Sequence, residues 1–235
     1  RKACPVLRHS GKSLFTGRIT KDMRYTTLIF DLDGTLSDPA LGVVRCMNFA
    51  LTSFDQPPRA DHEIKRHIGP PLEQILALLS DNDDPAYVSA LAARYRERYA
   101  ELGYRENSLY PEAKATLAAL KNFGFRLGVC TSKLRPNALK ILELFELVRF
   151  FDFISGPLAT ETKSEQLRDL LQSGTIDSDA LMIGDRAIDL QAAHENRLQS
   201  AGVLWGYGGR EELESEQPAF LFDSFSELFH ALTQR

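Results

Sequence analysis

Thr27-Leu28-Ile29-Phe30 run without interruption into Asp31-Leu32-Asp33-Gly34-Thr35. A short run with no polar alternation predicts a strand buried on both faces, the kind found in parallel sheets. Open parallel sheets collect ligands at the carboxyl ends of their strands, where the two acids fall. In an extended segment residues i and i+2 project to one side, so Asp31 and Asp33 present two like charges together. That placement destabilises a fold unless a cation or a shared proton compensates it. Gly34 then lets the backbone turn sharply without a Cβ clash. An isolated Asp-x-Asp could equally be an exposed turn. The apolar strand before it and Gly-Thr after it argue for a site instead.

From Tyr25 onward, strand-like runs alternate with amphipathic helices, which predicts a parallel α/β sheet. Further strands are expected at 125–130, after a helix ending at Gly124, and at 180–183 and 201–205, with a short edge strand at 219–222. Ser224 with Glu227 reads as a capping box opening a last helix, whose Phe225, Leu228, Phe229 and Leu232 face inward. Between Leu36 and about Tyr104 the strands stop. Val44, Met47, Leu51 and Phe54 follow helical spacing, as do Leu72, Ile75, Leu76 and Leu79. So do Val88, Leu91, Tyr95 and Leu102, with Gly103 as the expected C-terminal stop. The predicted organisation is a Rossmann-like α/β core over 23–36 and 105–235, interrupted after its first strand by a helical insert over 37–104.

Composition bounds the class. With 235 residues, 43% hydrophobic and 26% charged, the chain matches an ordinary soluble globular enzyme and can bury a substantial core. No apolar run approaches the roughly 18 residues expected of a membrane span. Cys4, Cys46 and Cys130 are scattered and show no metal-type spacing, which suits a reducing cytoplasm. Residues 1–22 carry a net charge of +5, against −9 for the remainder. Such an arm could bind nucleic acid or a membrane surface. It lacks apolar periodicity and contains Pro, Gly and Ser, so it is read as a disordered extension, or as residues upstream of a native start at Met23.

Other strand ends carry further chemistry. Gly184-Asp185-Arg186-Ala187-Ile188-Asp189 closes the third strand, with Asp185 at its tip and Asp189 opening the next helix, near enough to share a cation. Mg²⁺ prefers oxygen ligands and keeps several waters, so carboxylates at separate strand tips suit it. N-capping by either acid is the plainer alternative. The second strand ends in Thr131-Ser132-Lys133, where a hydroxyl and backbone N–H groups could hold phosphate oxygens. Lys163 precedes a helix expected near Glu165. By itself it reads as a solvated lysine and gains meaning only from its order after the other elements.

In that order, the sequence resembles the haloacid dehalogenase superfamily over about residues 25–233. Asp31-Leu32-Asp33-Gly34-Thr35 is similar to its first motif, Thr131 to its second, Lys163 to its third, and Gly184-Asp185 with Asp189 to its fourth. The helical insert resembles the small cap of the phosphoglycolate phosphatase-like branch. Ile68-Gly69-Pro70-Pro71-Leu72 and Gly202-Val203-Leu204-Trp205-Gly206-Tyr207-Gly208 look like members described as 5′-nucleotidase-like.

The resemblance implies a Mg²⁺-dependent phosphatase acting on a small phosphate ester. Asp31 would be the nucleophile, passing through an aspartyl-phosphate, and Asp33 the general acid and base. Asp31, the Asp33 backbone carbonyl and Asp185 would bind the metal, with Asp189 acting through water. Thr131 and Lys163 would stabilise the phosphoryl oxygens. Leu32, Gly34, Thr35, Ser132 and Lys133 would line the phosphate position, Leu32 and Ser132 through backbone N–H groups. A monomer or homodimer without nucleic-acid or membrane partners is expected.

One departure is Asn196-Arg197, where relatives commonly carry a glycine after the helix. Asn196 is expected to take the left-handed conformation there. A signalling receiver domain also uses a phosphorylated Asp, Mg²⁺, a hydroxyl and a lysine. It is about half this length and carries that Asp on a later strand than its metal acids. A dehalogenase would need neither Mg²⁺ nor an acid at Asp33. A phosphomutase differs only in the group that accepts the phosphoryl. Substrate selection falls to the insert, with Arg45, Asn48, Lys65, Arg66 and the Gly69-Pro70-Pro71 turn as candidates. A compact carboxylate such as phosphoglycolate would want a basic residue there. A nucleoside monophosphate would want room and an aromatic platform such as Tyr207.

Overall fold

A computed structural model describes residues 24–158 and 161–234. The basic segment 1–22 and Met23 lie outside the described residues. Strand β1 (Thr27–Phe30) is buried along its whole length, with parallel neighbours on both edges and helices on both faces. Its partners are β4 (Arg126–Cys130), with Phe30 opposite Val129, and β6 (Leu181–Gly184), with Phe30 opposite Ile183. With β5 (Phe153–Ser155), β7 (Gln199–Val203) and β8 (Phe220–Phe222) they form a six-stranded sheet ordered β5-β4-β1-β6-β7-β8. Every pairing in this sheet is parallel.

The chain runs outward from β1 through β4 to β5, then returns to the other side of β1 for β6, β7 and β8. The order therefore reverses at β1, and the crevice for a ligand opens beyond the carboxyl ends of β1, β4 and β6. Alternate side chains enter opposite layers, as strand geometry requires. Leu28 and Phe30 join Leu117, Leu120, Ile141 and Leu228 from helices α5 (Ala113–Phe123), α6 (Arg135–Leu144) and α10 (Phe225–Thr233). Ile29 joins Cys130, Met182, Leu167, Ala192 and Ala193, with the helical partners coming from α7 (Lys163–Gln172) and α8 (Ala187–Glu195). Helix α9 (Arg210–Ser215) lies between β7 and β8.

The insert comprises α1 (Ala40–Thr52), α2 (Asp61–Lys65), α3 (Leu72–Ser80) and α4 (Pro85–Glu101). These helices share a core of their own, including Val44, Met47, Leu51, Ile75, Leu76 and Leu91. The chain enters through β2 (Ser37–Asp38) and leaves through β3 (Ser108–Leu109), and the two pair antiparallel. Glu106 joins this crossing to the helices. Its carboxylate accepts from Arg45 at 2.7 Å and from Arg98 at 2.8 and 3.1 Å, and its carbonyl accepts from the Gly42 N–H.

Several expectations need correction. Leu102 is 50% exposed and Gly103 begins a 3₁₀ turn. Gly103 is there for close approach, since a Cβ on it would lie 2.6 Å from Cys46 Sγ. The strand expected at 201–205 is shifted, and Trp205 leaves the sheet to donate to the Thr35 carbonyl at 3.0 Å. Ser224 caps α10 through the Glu227 N–H, but the Glu227 carboxylate accepts from Asp223 rather than from Ser224. At the end of α8 it is Arg197, with φ of 58°, that takes the left-handed conformation. Asn196 stays at φ −99° because its amide donates to Ser164 and to the Ala192 carbonyl. Strand β5 and the β2–β3 pair were not expected, being three and two residues long.

Candidate active site

Asp31 follows β1 and extends its ladder, its N–H donating to the Ile183 carbonyl at 2.9 Å. Across the switch point Asp185 follows β6, and Asp189 occupies the first turn of α8. The three are buried, and each offers an oxygen within 4.8 Å of the others. Burial pushes the Asp185 pKa well above the carboxylate range, and the charges of Asp189 and Asp31 add to the shift. Burial likewise raises Asp189, to about 6, although Lys163 pulls the other way. A third acid pushed into such a cluster calls for a cation.

The residues fit Mg²⁺ on that ground. The donors are hard carboxylate oxygens from separate strand tips, as a hydrated small cation prefers. Asp189 is also committed to its own helix, accepting from the Arg186 N–H at 3.0 Å. Neither acid is the N-cap, which is Arg186; Asp189 sits at the third helical position and holds the N-cap N–H alongside its place in the cluster. The Asp33 side chain stands apart from the three acids, so any metal contact from that residue falls to its backbone.

Gly34 and Thr35 shape the acid cluster. At Gly34, with φ of +86°, a Cβ would lie 2.1 Å from Asp185 Oδ2. Its N–H is already spent on the Ser37 carbonyl at 2.8 Å. Thr35 is buried and donates its hydroxyl to Asp185 Oδ1 at 3.0 Å. The Tyr207 N–H donates to Asp185 Oδ2 at 2.9 Å. Asp185 is thus aimed from three directions. The Leu32 side chain is wholly buried in the core, which leaves only its backbone for the site.

Lys163 is 3% exposed, not solvated. It is the first residue of α7, held inward by a capping box in which Thr162 and Glu165 bond each other's backbone N–H. Its Nζ lies 3.0 Å from Asp31 Oδ1 and also pairs with Asp189. Burial would lower its pKa, but the two carboxylates reverse this and keep the ammonium charged. Thr131 follows β4 and is buried, with its Oγ1 accepting from the Lys133 N–H at 3.2 Å. Its carbonyl is fixed by Gln166 Nε2 at 3.1 Å, a contact no sequence pattern announced.

Lys133 faces Asp33 more than a phosphate position, with Nζ 2.5 Å from Asp33 Oδ2. Burial raises the Asp33 pKa, Lys133 draws it partly back, and the net direction is upward. Among the described residues, Asp33 Oδ1 has no hydrogen-bond partner. A buried carboxyl inclined to hold a proton, with one oxygen unengaged, can serve as a proton donor.

Asp31, Asp33, Thr131, Ser132, Lys133 and Lys163 open onto a cavity of about 600 Å³. Its far wall comes from the insert: Ile68, the Gly69-Pro70-Pro71 turn, Tyr95, Arg96 and Tyr99. Most of the selected insert candidates are elsewhere. Arg45 pairs with Glu106, Asn48 exchanges bonds with the Arg59 backbone, and Lys65 and Arg66 are exposed and absent from the wall. Tyr207 donates to Asp38 and is likewise absent from the wall. Arg96, paired with Glu73 at 2.5 Å, was missed because helical spacing alone does not show which face of α4 meets the core.

The family model for haloacid dehalogenase-like hydrolases matches residues 28–203. The chain belongs to the haloacid dehalogenase-like hydrolase family. Among its relatives in that family, the 5′-nucleotidase of Pseudomonas aeruginosa is 38% identical over 83% of this chain and 90% of that protein. A phosphoglycolate phosphatase of Salmonella choleraesuis is 28% identical over 86% and 90%. The crystal structure of a predicted phosphatase from Clostridium acetobutylicum superposes with a TM-score of 0.84 at 34% identity, covering 88% of this chain and 98% of that one. This haloacid dehalogenase-like chain is accordingly an enzyme, a hydrolase of phosphatase type.

Proposed function

We propose that the chain hydrolyses small phosphate monoesters through an aspartyl-phosphate at Asp31, with Mg²⁺ held by Asp31 and Asp185, the Asp33 backbone carbonyl, and Asp189 through water. The observation that carries this reading is the buried triad Asp31, Asp185 and Asp189 beside Lys163 at one end of the cavity. A carboxylate oxygen of Asp31 attacks phosphorus, and the ester oxygen departs with a proton from Asp33. Asp33, now ionised, takes a proton from water, whose oxygen attacks phosphorus. Inorganic phosphate leaves and the Asp31 carboxylate is restored. The Lys163 ammonium and the Thr131 hydroxyl balance charge on the phosphoryl oxygens. Mg²⁺, when bound, neutralises phosphate charge and orients it for in-line attack.

Of the two substrate readings, phosphoglycolate-like and nucleoside monophosphate, the cavity favours the second. Its volume of about 600 Å³ exceeds what a two-carbon acid fills. The cation in its insert wall, Arg96, is already matched by Glu73. The relative named 5′-nucleotidase supports the same choice. We further take 37–104 as a cap over the core, and the protein as a monomer or homodimer needing no nucleic-acid polymer or membrane. No helix among the described residues is long and apolar enough to cross a membrane. The described cysteines, Cys46 and Cys130, are buried free thiols, which supports a cytoplasmic location.

The test is p-nitrophenyl phosphate hydrolysis with and without Mg²⁺ by the wild type, Asp31→Asn and Asp33→Asn. Metal-dependent turnover lost in both variants is the expected result. Turnover retained by Asp31→Asn would remove the covalent route.

A further inference from the structure

Arg186 stands between the acid cluster and the insert, and the chemistry above makes no use of its side chain. It directly follows Asp185 and precedes α8. On the core side its Nε donates to Glu212 Oε1 at 2.8 Å, and the same oxygen accepts from the Ala187 N–H at 2.9 Å. The carboxylate thus fixes the guanidinium to the start of α8. On the insert side its Nη1 donates to the Ile68 carbonyl and lies 3.4 Å from the Arg66 carbonyl. Gly69 packs onto the same side chain. Its φ is +129°, and a Cβ there would lie 2.8 Å from Arg186 Cγ. The side chain is only 16% exposed along this path.

We propose that Arg186 is a positioning residue that latches the 66–71 turn of the insert to the tip of β6, holding one wall of the cavity in place. Ile68, Gly69, Pro70 and Pro71 all line that cavity, so the latch joins the insert's wall to the strand that carries Asp185. The donors to carbonyls are charge-assisted, and the planar fork bonds core and insert at once. Arginine at this position is thereby a requirement of closure, acting on the leaving group rather than on the phosphoryl. The kinetic part of this inference rests on the phosphatase reading; the structural part does not.

The experiment pairs amide hydrogen exchange with kinetics on the full chain for wild type, Arg186→Ala and Arg186→Lys. Exchange over 66–71 should rise about tenfold in Arg186→Ala and stay raised in Arg186→Lys, whose point charge cannot bond Glu212 and the Ile68 carbonyl at once, with β6 unchanged. kcat/KM for a nucleoside monophosphate should fall about tenfold, mainly through KM, while acetyl phosphate, whose acetate leaving group is too small to span the cavity, changes less than twofold. Unaltered exchange over 66–71 in Arg186→Ala, full protection in Arg186→Lys, or equal kcat losses on both substrates would each overturn the latch. If the wild type proves inactive on every phosphate ester, the phosphatase reading fails and exchange alone still judges the latch.

Discussion

The Lys133 ammonium rests 2.5 Å from the Asp33 carboxylate, so the proposed proton donor is held by a cation from the neighbouring strand end. The same ammonium lies 4.8 Å from the centre of the Tyr99 ring on α4. One core lysine therefore touches both the acid and the insert.

Burial raises the Asp33 pKa and Lys133 opposes that rise. Removing the lysine leaves the upward push less opposed. In Lys133→Met, the limb of the kcat–pH profile that reports Asp33 should move to higher pH by about one unit, with kcat down about tenfold. A limb that stays put would separate Lys133 from the acid's titration.

Three buried acids face a single ammonium, that of Lys163, so metal binding should also stabilise the fold. Thermal unfolding of the wild type should gain about 2 kcal/mol at Mg²⁺ well above its dissociation constant. Asp185→Asn removes one charge; its single amide oxygen can still accept from the Tyr207 N–H, while the Thr35 hydroxyl must turn to accept from the amide NH2. It should be at least as stable as the metal-free wild type and lose the Mg²⁺ response. A wild-type melting point indifferent to Mg²⁺ would count against the metal site.

Glu106 has its pKa lowered chiefly by hydrogen bonds from Arg98, with Arg45 adding to the effect. A lowered folded-state value means stability fully present above the ordinary glutamate value of 4.5 and lost as pH falls through the folded value. Because the carboxylate is 18% exposed, screening limits the contribution to about 1 kcal/mol. Urea midpoints at pH 7 and pH 3.5 should differ less in Glu106→Gln than in the wild type. An identical acid sensitivity would dismiss the clamp.

Arg197 is exposed and carries a side chain in the left-handed region, at φ 58°. That conformation costs an L-residue roughly 1–2 kcal/mol, partly offset by the greater entropy glycine loses on folding. Arg197→Gly should therefore raise stability by about 0.5–1 kcal/mol, read from denaturant midpoints with an unchanged slope. A lower midpoint would show that the arginine side chain contributes something the backbone does not reveal.

The sheet was largely legible because buried parallel strands leave unbroken apolar runs, as at Leu28-Ile29-Phe30 and Leu181-Met182-Ile183. The acids were legible because they stand directly after those runs. Lys163 could be assigned only from its order in the chain, since the capping box from Thr162 to Glu165 marks a helix start without showing that the side chain between them points inward. The bond from Thr35 to Asp185 could not be read from the sequence, because the two residues stand 150 positions apart. The Arg186 contacts were hidden in the same way, their carbonyl partners being 118 and 120 residues distant.

The pairing of β2 with β3 limits how the insert can move. Both crossings between core and insert are tied to each other by a ladder only two residues long on each side. Pulling the crossings apart, or twisting one against the other, breaks that ladder, whereas bending both together leaves it intact. A rocking of the insert about that ribbon is the movement that would keep the ladder whole, and the contact between Arg186 and the 66–71 turn lies across its path.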